Sequence, residues 1–399
     1  MLTSRLPWPL DKGDKLRAYH QLRALHEHHE VHLFCLVESP PSNEALKALG
    51  EVTTSVQWSK TRWISRFLRM LWAPLSSRPF QVHWFYQSHA AKQISELLPR
   101  LKPDVVYCQL IRMAEYVKTH HEYPRVLDYM DALSAGVMRR SLLKKWFSRW
   151  IYQIEATRLA KYEASTFDYF DAHTIISVAD RKLISHPEKN SVRIVPNGVD
   201  PDYYLANSIP SESSQSTLRT IAFTGNMSYP PNVDAAVRLA NDILPLTKTD
   251  QLKLIIAGTS PSSKVKQLAR DGVQVTGWIP DIRWAYQQAE LFVAPLRIGT
   301  GQQNKILEAM ACGVPCITTS HVMSGFMSEH GEQASLPPLI LADSDAETAR
   351  AVDVLLHDDQ QCAKLSLSGR QWVEQNASWH THSLKLVDSF VHSSKLQIH

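Results

Sequence analysis

Short apolar runs alternate with stretches of helical periodicity along the whole chain. This alternation is typical of parallel α/β architecture, in which a helix follows each strand and crosses back over the sheet. In the first half, the apolar runs predict strands at 31–37, 52–58, 104–109, 125–129, 173–178 and 193–196. The stretches between them predict helices at 15–28, 90–101 and about 133–165.

The second half shows the same alternation. It predicts strands at 220–224, 252–257, 273–278, 291–295, 314–318 and 339–342. It predicts helices at 232–243, 262–271, 282–290, 303–312, 346–357 and 360–375. A last helical stretch, 379–391, follows a polar break, and we expect it to pack on the first half.

A serine-rich segment with one proline, 207–216, has the composition of a linker. At roughly 100–200 residues per domain, a chain of 399 residues predicts two domains. We place an N-terminal domain at 1–200, a linker at 201–217, a second domain at 218–376 and a C-terminal crossover helix at 377–399. Residues 2–4 resemble the end of a first strand, so either that strand is unusually short or the natural start lies upstream.

Composition and charge narrow the class of protein. A content of 44% hydrophobic and 21% charged residues excludes a fibrous or disordered chain. Residues 1–200 carry 28 Lys and Arg against 20 Asp and Glu, whereas residues 201–399 carry 15 against 19, so an anionic partner is predicted for the first half only. Five scattered cysteines without a C-x-x-C pair predict neither disulfides nor a zinc site. No apolar run is long enough to span a membrane, and we expect a cytoplasmic protein.

The most informative stretch is PLRIGTGQQNKILEAMACGVPCITTS, residues 295–320. A buried strand leads into the loop Gly299-Thr300-Gly301, and a helix follows. Backbone N–H groups in such a loop, together with the helix dipole, face an anion, typically phosphate. Lys305 and Glu308 share one face of that helix. The lysine can neutralise phosphate, and the carboxylate can accept two hydrogen bonds from neighbouring hydroxyls, as on a ribose.

Two other interpretations of this stretch are weaker. A solvated ion pair between Lys305 and Glu308 would explain any single pair of this kind, but not the strand, the glycine loop and the E-A-M-A-x-G-x-P run that accompany it. A dinucleotide site is disfavoured, because Asn304 occupies the third glycine position and no acid follows at about 20 residues. The sequence also contains no phosphate-binding G-x-x-x-x-G-K-[ST] loop.

The stretch resembles the donor site of the family 4 glycosyltransferases, retaining enzymes of the GT-B fold, and most resembles bacterial sugar transferases of exopolysaccharide clusters. Glu308 matches the second glutamate of the family's E-x7-E motif, which contacts the nucleotide ribose. Thr300 stands where the first glutamate would contact the donor sugar, so backbone N–H groups and Thr300 must hold that sugar. The resemblance implies two Rossmann-like, doubly wound α/β domains facing across a cleft, with a C-terminal helix returning to the first domain. It also implies a nucleotide-diphospho-sugar donor, retention at the anomeric carbon and no metal or other cofactor.

Other segments fit the same resemblance. VPNGVD, residues 195–200, resembles the family's interdomain signature. The loop that contains Gly225 and Asn226 resembles the first loop of the donor domain, although it lacks the positive charges of many relatives; the nearby Asn232 alone predicts a helix N-cap. Arg297 and Lys305, with the N–H groups of 299–301, are then our candidates to stabilise the leaving diphosphate.

In the first half, residues 7–17 resemble the family's first glycine-containing loop, where Gly13 would approach the donor. Lys15 and Arg17 would contact the acceptor, or the charges would belong to an ordinary helix entry capped by Asp11 or Asp14. Asp131 follows a strand, where ligands gather in doubly wound sheets. It would contact an acceptor hydroxyl or cap a helix, and the sequence does not decide between these roles.

Two basic, aromatic stretches, 60–72 and 139–150, are predicted to be amphipathic helices that suit an anionic membrane surface at the inner membrane face. Alternatively, their apolar faces pack into the first domain and their charges are solvated. Nucleic acid binding is disfavoured because no nucleic-acid fold signature accompanies them. The histidine-rich run 26–32 lacks metal-ligand spacing, so cations at a helix end explain it better than a metal site does.

These observations predict a glycosyltransferase that moves a sugar from a nucleotide-diphospho-sugar to a glycan or polyprenyl-linked acceptor, in exopolysaccharide or cell-surface polysaccharide biosynthesis. The main alternative is a catalytically silent protein that binds sugar nucleotides, which the threonine at position 300 and the uncharged loop at 225–227 allow. A nucleotide-sugar epimerase of the same fold is a further alternative.

Overall fold

The computed structural model describes residues 1–142, 146–204, 218–298, 302–326 and 336–396. The chain divides into two compact units. The first comprises Met1–Pro196 and the C-terminal segment from His382, and the second comprises Asn197–Thr381. The boundary between the two units therefore lies after residue 196 rather than after residue 200, where the sequence predicted it. Most of the predicted linker lies outside the described residues.

The first unit is built on a parallel seven-stranded sheet of order β3-β2-β1-β4-β5-β6-β7. Its strands are β1 (Leu2–Thr3), β2 (His32–Val37), β3 (Ser55–Lys60), β4 (Val106–Gln109), β5 (Arg125–Asp128), β6 (Ala172–Ile175) and β7 (Arg193–Ile194). Its helices are α1 (Gly13–His26), α2 (Asn43–Gly50), α3 (Trp63–Trp72), α4 (Phe80–Phe85), α5 (Ser88–Leu101), α6 (Leu133–Leu142), α7 (Trp146–Phe167) and α8 (Val178–Leu183).

Apolar layers cover both faces of this sheet, as the buried strand β2 shows. Leu33 and Cys35 belong to the cluster that contains Leu22 of α1. Phe34 and Leu36 belong to the opposite cluster, which includes Ile94 of α5. Successive side chains of a strand point to opposite faces, so a strand buried on both faces is a continuous apolar run rather than an alternating one.

The second unit has a parallel six-stranded sheet of order β10-β9-β8-β11-β12-β13. Its strands are β8 (Arg219–Thr224), β9 (Leu252–Ala257), β10 (Val273–Gly277), β11 (Leu291–Ala294), β12 (Cys316–Thr318) and β13 (Ile340–Leu341). Its helices are α9 (Pro230–Arg238), α10 (Ser263–Lys266), α11 (Arg283–Gln287), α12 (Asn304–Ala311), α13 (Ser320–Met323), α14 (Asp345–Leu356) and α15 (Asp359–Asn376), and α16 (Trp379–Leu396) begins in this unit and continues in the first.

Each predicted strand is present, which confirms the α/β class and the two parallel sheets. The helices differ more from prediction. The single helix predicted at 133–165 is two helices, α6 and α7, and the helix predicted at 262–271 is only the four-residue α10. Helices α2, α4, α8 and α13 were not predicted, because each is too short to show a clear periodicity.

The strand order of each sheet reverses at one point, between β1 and β4 in the first unit and between β8 and β11 in the second. In open parallel sheets, ligands bind at the carboxyl ends of the strands at this switch point. The loops that follow these four strands are therefore where a site is expected. Among the described residues, no helix combines the length and hydropathy needed to cross a bilayer.

Candidate functional site

Glu308 lies on α12 and is held by tyrosines from two other segments. The Tyr286 hydroxyl donates to Glu308 Oε2 at 2.6 Å, and Thr224 Oγ1 lies 2.8 Å from the same hydroxyl. The Tyr204 hydroxyl also bonds the carboxylate. Burial raises the pKa of Glu308, and the Tyr286 bond, the Lys305 charge and the Tyr204 bond act in the opposite direction. The carboxylate is thus oriented from behind by hydroxyl donors.

Lys305 lies one turn before Glu308 and is the partly buried cation of this site. Its ammonium donates to Asn232 Oδ1 and lies 5.0 Å from the centre of the Phe223 ring. Burial lowers the pKa of Lys305 to about 8, although the charge of Glu308 opposes this shift. A bound anion would stabilise the charged form of this lysine, because its attraction to the ammonium compensates for the water that burial has removed.

Gly225 follows β8 at the switch point and borders Lys305. A Cβ atom added there would lie 2.6 Å from Asn232 Nδ2 and 3.2 Å from Lys305 Nζ, and its φ of +150° disfavours other residues. Gly258, after β9, is still closer to the neighbouring loop, because its Cβ would lie 1.8 Å from the Gly225 carbonyl oxygen. The two glycines let the loops after β8 and β9 pack backbone against backbone.

Asn232 is not the N-cap of a helix, contrary to the sequence-based prediction. Helix α9 begins two residues earlier, at Pro230, and the Asn232 side chain lies inside it. The Asn232 amide instead accepts from Lys305 and donates to the Asn226 carbonyl at 3.0 Å. The predicted residues Gly225, Asn226, Lys305 and Glu308 are therefore brought together, with Asn232 linking the loop to α12.

Two other predictions for this unit have different outcomes. Gly299, Thr300 and Gly301 lie outside the described residues. Arg297 is described, and its guanidinium forms two bonds to the Asp234 carboxylate, at 2.8 and 2.9 Å, while 60% of its side chain is exposed. It would have to leave Asp234 before it could reach a diphosphate.

The VPNGVD segment is anchored inside the second unit from residue 197 onward. The Val199 N–H donates to the Ala377 carbonyl at 2.8 Å, and a Cβ atom at Gly198 would lie 2.4 Å from the Trp379 nitrogen. Asn197 Nδ2 donates to Asn304 Oδ1 at the start of α12. Glycine at 198 is required by this close backbone approach, and Asn197 fixes the first residue of the helix that carries Lys305 and Glu308.

In the first unit, the structure corrects the role predicted for Arg17. Its guanidinium donates to both carboxylate oxygens of Asp128, at 2.8 and 3.1 Å, and to the Val195 carbonyl at 2.9 Å. Both side chains of the ion pair are fully buried. Arg17 therefore has no surface for an acceptor, and it instead ties α1 to the ends of β5 and β7.

The remaining predicted residues of this unit lie at the surface. Gly13 begins α1, and no atom lies within 4 Å of an added Cβ, so sterics do not require glycine there. Lys15 pairs with Asp11 at 2.8 Å, and neither Asp11 nor Asp14 caps α1 through its side chain. Asp131 is exposed after β5.

Asp131 does not cap α6. The N–H of Ser134 donates to Glu163 Oε1 at 2.9 Å, and the N–H of Ala132 bonds Asp180, so other carboxylates satisfy the start of this helix. This leaves the Asp131 carboxylate available for a ligand. Among the described residues, no group of three or more His, Cys, Asp or Glu side chains is arranged to hold a metal ion.

Comparison with known proteins gives a family match within the second unit. Residues 218–358 match the family model described as glycosyl transferases group 1. The matched segment contains Gly225, Lys305 and Glu308, so the side chains described above lie within it. No curated protein matches the sequence.

Solved glycosyltransferase structures match nearly the whole chain. HepE of Anabaena in complex with UDP-glucose has a TM-score of 0.67 and 14% identity, with 98% of each chain covered. A glycosyltransferase of Rickettsia africae has 0.64, 12% and 98% of each chain. Sucrose-phosphate synthase of Thermosynechococcus elongatus has 0.64 and 14%, with 97% of this chain and 96% of that chain covered. These likenesses show the GT-B fold that the sequence predicted, with two Rossmann-like units.

Several residues that support the candidate site of the second unit were not among the predicted site residues. Tyr204 and Tyr286 hold Glu308, but tyrosines are too common for their identity alone to signal this role. Arg238 is buried and donates to the Pro295 carbonyl at 3.0 Å, which fixes the chain leaving β11. One signal in the sequence could have indicated this role of Arg238, because the helical periodicity places this charged residue on the apolar face of its helix.

Proposed function

We propose that this chain transfers a sugar from a nucleotide-diphospho-sugar to an acceptor, with retention of anomeric configuration. The observation that carries the proposal is the pairing of Lys305 and Glu308 on one face of α12, beside the Gly225 loop at the switch point of the second sheet, within the segment that matches the group 1 family model. A cation for diphosphate and a carboxylate for vicinal hydroxyls lie one helical turn apart.

Each side chain then has one task. Glu308, held by Tyr286, accepts hydrogen bonds from the ribose hydroxyls. Lys305 neutralises charge that develops on the departing diphosphate, which preorganised cations do well in a site shielded from water. The bond between the anomeric carbon and the diphosphate oxygen breaks, the acceptor oxygen bonds the same face of that carbon, and a phosphate oxygen takes the acceptor proton.

Arg297 is a weaker candidate than Lys305 for binding the diphosphate. Its two bonds to Asp234 satisfy the guanidinium in the structure, and it is largely exposed. Lys305 is partly buried and has a lowered pKa, so it gains more from an anion. We therefore assign leaving-group stabilisation first to Lys305. Gly299–Gly301 stay candidates for backbone contacts to the donor, and we expect no metal ion to be needed.

The test is nucleotide binding by isothermal titration calorimetry with UDP, GDP and ADP, with and without EDTA. HepE was solved with UDP-glucose, so UDP-glucose is the first donor to try. Loss of charge-assisted bonds predicts about a 10- to 100-fold weaker affinity for Glu308→Gln. The matched control is Glu44→Gln, an exposed glutamate of α2. Equal affinity of the two variants would refute the donor site.

Product analysis separates this proposal from its two alternatives. A silent sugar-nucleotide-binding protein would bind the nucleotide but release none from UDP-glucose, with or without acceptors. An epimerase would change the sugar without an acceptor. Formation of UDP together with a glycosylated glycan or lipid-linked acceptor supports the transferase and its place in cell-surface polysaccharide synthesis.

We also propose that the first unit rests on an anionic membrane surface. The supporting observation is the orientation of α3, whose polar face is turned inward. Arg66 is buried, donates to Glu38 at 2.9 Å and lies over the Trp84 ring, while Arg69 lies over Tyr86. The large apolar side chains of the helix face solvent, and they are Trp63, Ile64, Phe67, Leu68, Leu71 and Trp72. The alternative that this apolar face packs into its own unit is wrong.

A second exposed apolar stripe lies next to this helix, on α7. Arg158 of α7 donates to the Ala73 and Pro74 carbonyls, directly after α3. One to three turns earlier, α7 exposes Trp146, Trp150, Ile151 and Ile154. Segments 60–78 and 139–154 carry ten Lys and Arg and no Asp or Glu. Exposed tryptophans with an all-positive charge complement the interface of an anionic bilayer.

Co-sedimentation with vesicles tests this surface. We expect binding to vesicles that contain phosphatidylglycerol, weaker binding to pure phosphatidylcholine, and loss of both in Trp63→Ser/Trp72→Ser. The matched control is Trp278→Ser, an exposed tryptophan of the second unit. If the double variant instead converts a dimer to a monomer and vesicles are never bound, the surface is an interface between two copies.

A further inference from the structure

Two arginines outside the set of predicted site residues flank the switch point of the first sheet. Arg5 follows β1, and Arg112 follows β4, which is the neighbour of β1 where the strand order reverses. Both guanidinium groups lie against the Phe85 ring, at 5.6 Å and 4.9 Å from its centre. The two cations therefore meet where a doubly wound sheet binds its ligand.

The two arginines differ in their partners. Arg5 forms an ion pair with Asp14. Arg112 makes no hydrogen bond or ion pair with the residues that the structure describes, and its Nε is buried without an acceptor. Burial lowers the pKa of Arg112 to about 10, and the Arg5 charge adds to this shift. A buried hydrogen-bond donor without an acceptor destabilises the folded protein, so a ligand that supplies an acceptor to Arg112 would remove this desolvation cost.

The charges around Arg112 indicate what kind of ligand fits. Arg5 and Arg140 repel it, while Asp14 and Asp131 attract it. Asp14 is already paired with Arg5. The two cations and two anions balance, so the charge of Arg112 itself is left without a counter-ion, and an oxyanion would supply one. Guanidinium groups bind phosphoryl oxygens through paired N–H donors, and a phosphoryl group carries enough charge to serve two of them.

We propose that Arg112, together with Arg5, binds a phosphoryl group of the acceptor. The proposal rests on the transferase function proposed above and names the chemical class of its acceptor. Asp131, exposed beside this pair and not used as a helix cap, would then contact an acceptor hydroxyl. A prenyl phosphate and a sugar phosphate both supply the required group.

The experiment measures binding of three probes by calorimetry: inorganic phosphate, geranyl phosphate and glucose 1-phosphate. We expect binding to the wild type and at least about a tenfold loss of affinity in Arg112→Gln, with a smaller loss in Arg112→Lys. The matched control is Arg100→Gln, an exposed arginine of α5 that should bind like the wild type. Tighter binding of geranyl phosphate than of glucose 1-phosphate identifies a lipid-linked acceptor, and the reverse identifies a sugar phosphate.

Parallel titration with UDP keeps this proposal separate from the donor site. Arg112→Gln should bind UDP like the wild type, whereas Glu308→Gln should bind UDP weakly and keep its phosphate affinity. No binding of any probe, or equal binding by wild type and Arg112→Gln, overturns the phosphoryl site even if UDP binds. Equal loss of UDP and phosphate affinity in Arg112→Gln also overturns it. Thermal melts of each variant confirm that the compared proteins are folded.

Discussion

Replacing Lys305 by methionine should stabilise the protein without ligand while weakening nucleotide binding. Burial lowers the pKa of Lys305 from 10.5 to about 8. At about 1.4 kcal/mol per pKa unit, holding this lysine charged in the folded chain costs about 3 kcal/mol at neutral pH. Methionine keeps much of the volume and removes the charge. It also leaves Asn232 Oδ1 without its donor, which costs about 1 kcal/mol.

The sign of the pH dependence follows from the direction of this shift. The pKa of Lys305 is lower in the folded chain than in the unfolded chain, so between pH 8 and 10.5 the unfolded chain binds more protons. The free energy of unfolding of the wild type therefore rises with pH between pH 8 and 10.5. Below pH 8 the full cost of burying the charged Lys305 is present. We expect Lys305→Met to be about 1–2 kcal/mol more stable than the wild type at pH 7, and this advantage to vanish near pH 9.5.

Urea denaturation at the two pH values measures both effects. A shift in midpoint with an unchanged slope reports stability. Lys264→Met, on the exposed side of α10, is the matched control and should follow the wild type at both pH values. A Lys305→Met protein that is less stable than the wild type at pH 7, or a difference between the two proteins that is the same at both pH values, would contradict a lowered pKa of Lys305.

Two further substitutions test the buried polar groups. Asp128→Asn should lower stability by about 3–5 kcal/mol, because it leaves the charge of Arg17 buried and uncompensated; a loss under about 1 kcal/mol in urea denaturation would mean that backbone carbonyls alone satisfy that guanidinium. Tyr286→Phe removes the hydroxyl between Thr224 and Glu308, and we expect a loss of about 1–2 kcal/mol and weaker UDP binding in calorimetry. Unchanged UDP affinity would show that Glu308 is positioned without Tyr286.

Local sequence patterns were sufficient to predict most of the strands and part of the candidate site. Strands could be predicted because each buried strand is a short apolar run bounded by polar residues. Lys305 and Glu308 could be predicted because strand, glycine loop and helix are adjacent along the chain. Their supporting groups could not, since Tyr204 and Tyr286 reach Glu308 from other segments.

The burial of charged side chains and the orientation of surface helices could not be predicted from local sequence patterns. Arg17 resembles a surface residue at a helix entry, and its burial depends on Asp128, 111 residues further along the chain. The periodicity of α3 predicts a helix but not which face is turned inward. That choice depends on Glu38, Trp84 and Tyr86, which attract the arginines of α3 into the unit.

The return of the last helix has a consequence for biosynthesis. Leu386 of α16 is fully buried in the core of the first unit, beside Leu22 and Val126, and Phe390 packs edge-on against Tyr107. A ribosome delivers these residues only after the whole second unit has been made. Until then, the part of the first unit's core that Leu386 and Phe390 cover stays exposed, although α1 already packs on the same face of the sheet. A chain that ends before His382 would leave this part of the core exposed permanently.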